Sequence, residues 1–113
     1  MAFITLKKGG RRIKALYCNT MLSRAFGLML RKKQIAFIEL PFESKSLAGI
    51  HMCFMLFSLD IYWLDSKMKV NGIRKNLKPF WFANAPKPAK YVLEAPAGAL
   101  KLKIGDRIAS PNH

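Results

Sequence analysis

The run from His51 to Asp65 constrains this chain most, because it is so dense in large apolar side chains that only a protein interior can hold it. From 50 to 57 nearly every position is apolar: Ile50, Met52, Phe54 and Leu56 on one face, Cys53, Met55 and Phe57 on the other. Such a run describes an interior strand covered on both sides, by a second sheet and by a helix. It is too poor in charge to lie at a sheet edge. Leu59 to Leu64 continues as a second strand after a corner near Ser58. The apolar run is interrupted by His51, Ser58 and Asp60 before reaching the roughly 18 to 20 residues of a membrane span. His51 and Asp60 therefore pose the functional question: they are either a site or satisfied core polars.

The remaining chain must cover this block. With 113 residues, the expectation is one domain over 1–113 with a frayed tail at 110–113. An apolar content of 51% excludes general disorder. The amino end places its lysines after a very short apolar run, the wrong order for a secretory signal, so a cytoplasmic protein is expected. Cys18 and Cys53 lie in apolar contexts without CxxC spacing and read as buried free thiols. With only His51 and His113 as further nitrogen ligands, neither a metal nor another cofactor is expected. A monomer is the expected state.

In chain order, residues 2–8 and 11–18 read as a hairpin around Gly9-Gly10, a dipeptide suited to positive φ. Asn19 or Thr20 can cap a helix in which Leu22, Ala25, Phe26, Met29 and Leu30 form one apolar stripe, predicting a short packed helix at about 20–31. Ile35 to Leu40 reads as a strand ended by Pro41. Asp65 to Met68 is a turn leading to a strand over 69–75, and Ala83 to Lys90 is a proline-containing loop. Tyr91 to Ala95 is a strand, Ala99 to Ile104 a helical or irregular link, and Arg107 to Ala109 a last strand after Gly105-Asp106. Some eight short strands with one helix argue for a mainly β, single-domain sandwich or partly open barrel.

Twenty Lys plus Arg against six Asp plus Glu give a net charge of +14, a field that attracts polyanions. The hairpin tip concentrates Lys7, Lys8, Arg11, Arg12 and Lys14. These five are the candidate polyanion-binding residues, and they also protect the ribbon from pairing with another copy.

Three stretches in order resemble the prokaryotic family known as domain of unknown function 192. Arg24, Gly27, Leu28, Met29 and Arg31 are similar to its R-x-x-G-L-M-x-R helix. His51 through Asp65 resembles its central pattern, and Tyr91 to Gly98 followed by Ile104-Gly-Asp106 resembles its ending. The resemblance implies a jelly-roll-like β-sandwich with one helix and no assigned activity. Three positions depart from the pattern: Ser58 replaces a proline, Met68 replaces a turn glycine, and Leu56 stands where a basic residue is common. A left-handed conformation at Met68 would cost about 1 to 2 kcal/mol.

The chemistry-bearing residues are few. His51 and Cys53 fall on one face of a strand, but a thiol among methionines and phenylalanines has its pKa raised and is inert, so a hydrolase-type reaction using His51 ranks third. Asp60, between Leu59 and Ile61, must face water or be paired. Arg24 or Arg31 is its natural partner. Either a buried bridge ties helix to sheet, or Arg24, Arg31, His51 and Asp60 line a pocket for a small polar ligand. The expected function is a non-catalytic binding module for a small polar ligand or a macromolecular partner. The alternative is nucleic-acid or polyanion binding, with Phe80, Trp81 and Phe82 available for stacking.

Overall fold

A computed structural model describes residues 2–18, 35–45, 50–51, 57–78 and 82–109, with the backbone alone of Ala2, Cys18, Ile50 and His51. The hairpin comes first: β1 (Ala2–Lys8) and β2 (Arg11–Cys18) pair antiparallel, with Leu6 opposite Ile13 and Lys7 opposite Arg12. Gly9 takes φ 62°, the conformation for which glycine is suited. β3 (Ile35–Ser44) runs parallel to β2. A parallel pair requires a crossover of about a dozen residues or more, and residues 19–34 supply it. The expected helix at 20–31 lies in that connection, outside the described residues, which contain no helix.

β3 does not stop at Pro41 as expected but continues to Ser44. Its register against β8 (Ala89–Pro96) shifts between Glu39 and Ser44, and an irregular stretch is where a strand tolerates a residue without an amide hydrogen. β8 also pairs with β5 (Leu59–Leu64), and β5 pairs with β6 (Val70–Leu77), giving the six-stranded order β1-β2-β3-β8-β5-β6. β4 (Ile50–His51) and β7 (Phe82–Ala83) form a separate two-stranded ribbon. The pairing among the described residues is thus one open six-stranded sheet and a ribbon. The interior strand expected at 50–57 is described only as β4 and a half-buried Phe57. The strand buried along its whole length is β5.

Alternation along β5 divides the core. Leu59, Ile61 and Trp63 pack on a tryptophan face with Ile38, Leu40, Val92, Ala83 and Ala85. Tyr62 and Leu64 pack on a tyrosine face with Phe37, Tyr91, Leu93, Met68, Val70, Leu100, Leu102 and Ile108. Residues 99–104 form no regular element but insert Leu100 and Leu102 into the tyrosine face. The tail then meets both edge strands at one end of the sheet. Lys7 bridges Ala109, while Lys69 at the start of β6 bridges Arg107. The amide of Val70 donates to the Asp106 carbonyl at 2.8 Å, and that of Ile108 to the Met68 carbonyl at 2.9 Å.

The turn between β5 and β6 is organised by Asp65, whose Oδ1 accepts from the amides of Lys67 (2.8 Å) and Lys69 (3.0 Å). Met68 takes the left-handed conformation, φ 64°, that glycine would adopt without strain. Its side chain is nevertheless buried in the tyrosine-face cluster. Burying a methionine stabilises by about 1.5–3 kcal/mol, which exceeds the backbone cost of about 1–2 kcal/mol. Met68→Gly is therefore expected to destabilise the protein by about 1 kcal/mol in urea unfolding, despite restoring the residue the turn prefers. A stabilised variant would show that strain outweighs packing there.

Candidate functional site

Asp60 and Glu94 are the buried charged residues among those described. They lie on opposite faces: Glu94 is in register with Ile61 on the tryptophan face, whereas Asp60 points the other way, beside Tyr62. Between the pairs Leu59↔Leu77 and Ile61↔Arg74, the single residue Asp60 opposes both Lys75 and Asn76, which makes a β-bulge. Asn76 takes φ 53° there, a conformation asparagine tolerates better than most residues. The bulge turns the Asn76 amide toward Asp60 Oδ1, 2.8 Å away. Asp60 Oδ2 accepts from the amide of Gly98 at 2.9 Å and from Lys75 Nζ at 3.4 Å.

Lys75 is anchored further. Its ammonium donates to Tyr62 Oη at 2.6 Å and to the Leu100 carbonyl at 3.4 Å, while the Tyr62 hydroxyl donates to the same carbonyl at 2.9 Å. The hydrogen bond to Tyr62 is the main reason the ammonium holds its proton above the usual lysine range. Burial opposes this effect, and Asp60 adds to it. Among the described residues the donors to Asp60 are two amides and a lysine. Arg24 and Arg31 lie outside the described residues. His51 stands opposite Phe82 in the ribbon, whose Ala83 packs on the tryptophan face, so the strand carrying His51 and the Asp60 carboxylate lie on opposite sides of the sheet.

A second cluster joins the middle strands. Tyr17 Oη donates to Glu39 Oε1 at 2.6 Å, Lys90 Nζ lies 3.4 Å from Glu39 Oε2, and Lys90 also donates to the Leu40 carbonyl. Burial, with a smaller contribution from Glu39, pushes the Tyr91 phenol above its ordinary range. Both Lys75 and Tyr91 have raised pKa values, so their contribution is present below the unfolded values of 10.5 and 10.0 and is lost as pH rises through the folded ones. The urea midpoint is accordingly expected to fall above about pH 10, and to fall less steeply in Lys75→Met. A midpoint flat between pH 9 and about pH 11.5 would contradict this.

The basic hairpin is extended by the tail. Lys7 and Arg12 are opposite one another and exposed on the outer side of β1 and β2, with Lys14 beyond them. Because Ile108 is buried, its neighbours Arg107 and Ala109 point outward, as do Lys69 and Lys7 across from them. Arg12, Lys7, Arg107 and Lys69 thus form one outward strip drawn from three distant segments. Lys8 and Arg11, at the hairpin tip, point to the other side, and Lys8 Nζ lies 3.9 Å from Asp106 Oδ1. Lys14 Nζ sits 4.7 Å from the centroid of the Phe3 ring, which is 51% exposed. Hairpin charges were apparent from sequence; Lys69 and Arg107 were not, because only the tail pairing brings them alongside.

Among the described residues no group of three metal-ligating side chains occurs, and no helix is long and apolar enough to cross a membrane. The fold and these surfaces define a small mainly β domain of an uncharacterised kind. The family described as Uncharacterized ACR, COG1430 (DUF192) matches residues 4–110, and the chain belongs to it. It is 40% identical to a UPF0127 protein of Pyrococcus abyssi over 99 residues, 84% of each chain. It is 36% identical to one of Pyrococcus furiosus over 101 residues, 86% of each chain. A solved structure from Sinorhizobium meliloti 1021, provisionally described as a transcription regulator, superposes with a TM-score of 0.84 at 20% identity, covering 98% of this chain and 94% of that one. A protein of unknown function from Novosphingobium aromaticivorans gives a TM-score of 0.77 at 23% identity, covering 96% and 84%.

Proposed function

We propose that this protein is a non-catalytic binding module that holds a polyanion, nucleic acid foremost, against the strip of Arg12, Lys7, Arg107 and Lys69, with Lys14 continuing it. The observation that carries this reading is the tail pairing, which aligns outward cations from residues 7–14, 69 and 107 across neighbouring strands. Adjacent strands lie about 4.8 Å apart, so these charges follow one another at close intervals along a line. Phe3 beside Lys14 offers an exposed ring on which a base can stack. Asp60 takes no part in this reading. With its oxygens engaged by the chain itself, it serves as a tie between the β6 bulge and the turn at Gly98.

Fluorescence anisotropy with a labelled oligothymidylate tests the proposal. If about five phosphates are engaged, log affinity falls against log salt with a slope near −3 to −4. The double variant Arg12→Gln/Arg107→Gln is expected to bind more weakly at all salt concentrations and to lessen the slope by about 1 to 1.5. Salt-independent binding, no binding at low salt, or an unchanged double variant would each defeat the proposal.

A further inference from the structure

On the tryptophan face a cleft of about 310 Å³ opens between β6, β7 and the segment 84–86. Its lining includes Trp63, Arg74, Phe82, Asn84 and Pro86. Trp63 is fully buried and gives the cleft an aromatic floor. Phe82 lines the cleft while remaining 63% exposed. Arg74 is in register with Ile61, its guanidinium has no hydrogen bond or ion pair among the described residues, and no carboxylate lines the cleft with it. The wall is rigid at one point. A Cβ built on Gly72 would lie 2.6 Å from Pro86 Cγ, so the proline ring is seated directly on the β6 backbone.

We infer that this cleft is a binding site for a small aromatic carboxylate, with the ring lying along Phe82 and Pro86 and the carboxylate received by Arg74. A guanidinium presents a planar fork that matches a carboxylate with two parallel hydrogen bonds. Apolar walls with a few placed polar groups are the usual composition of a small-molecule site, and this volume stands at the lower end of their range, which fits a single-ring ligand. Asn84 adds a neutral donor and acceptor at the rim. The inference is independent of the polyanion strip, because none of Lys7, Arg12, Lys14, Lys69 and Arg107 lines the cleft.

The test is an amide-shift titration by NMR with benzoate, using acetate and benzyl alcohol as comparisons. Benzoate is expected to give saturable shifts at Gly72 to Arg74 and Phe82 to Asn84, and to bind about tenfold more tightly than either comparison compound. Arg74→Gln should weaken benzoate by about tenfold while leaving benzyl alcohol unchanged, and Phe82→Ser should weaken both. Both positions are exposed, so each variant should keep the wild-type spectrum elsewhere. Acetate binding as tightly as benzoate, shifts confined to the basic strip, or undiminished benzoate binding by Arg74→Gln would overturn the inference.

Discussion

Asp60→Ala is expected to lower the free energy of unfolding by about 2–4 kcal/mol, measured as a shift of the urea midpoint at unchanged slope. Two backbone amides, those of Asn76 and Gly98, lose their acceptor together. Each partly buried donor left without a partner costs about 1–3 kcal/mol, reduced where water reaches it. The lysine contributes less, because the Lys75 side chain is half exposed and its ammonium can return to solvent. Lys75→Met is accordingly expected to cost under about 1 kcal/mol. Asp60→Asn, which keeps an acceptor for one amide and presents a donor to the other, should fall between the two. A Lys75→Met variant as unstable as Asp60→Ala would make the ion pair the dominant tie. Wild-type stability in Asp60→Ala would remove the tie altogether and return the carboxylate to consideration as a ligand group.

The same residue shows what a sequence can and cannot disclose. That Asp60 had to be paired follows from its apolar neighbours and the cost of burying a charge. Who pairs with it depends on a one-residue bulge in β6, and neither Lys75 nor Asn76 carries a local signature of that register. The hairpin was legible to the residue, because Gly9-Gly10 fixes the turn and the turn fixes the pairing of 2–8 with 11–18. The interior strand expected at 50–57 falls largely outside the described residues; of the two apolar runs that adjoin at Ser58, the second forms β5, which has neighbours on both sides, β6 and β8. A proline lacks an amide and so signals a strand end at Pro41, but the shifted register with β8 removes the demand for one. Phe82 is legible only as one of three adjacent aromatics and Arg74 only as one of many cations, since the cleft arises where β7 meets β6.

Gly72→Ala is the second large effect expected, about 1–3 kcal/mol of destabilisation. Gly72 is opposite Trp63 in the β5–β6 pair, and its backbone has no positive φ that alone would call for glycine. The requirement is space: a Cβ there would stand 2.6 Å and 2.8 Å from Pro86 Cγ and Cδ and 3.1 Å from Trp63 Cε3. Trp63 is locked in the core, and a proline ring cannot swing aside as a long side chain would, so the segment 84–86 must move outward. That segment is a wall of the cleft, and the variant should weaken benzoate binding as well as stability. Removing the two clashing ring carbons tests the cause. Pro86→Ala combined with Gly72→Ala should be more stable than the two single losses added together, by about 1 kcal/mol or more in a double-mutant cycle. Additive losses would mean that the methyl group disturbs Trp63 or the strand itself, and that the contact between Gly72 and Pro86 does not set the position of the wall.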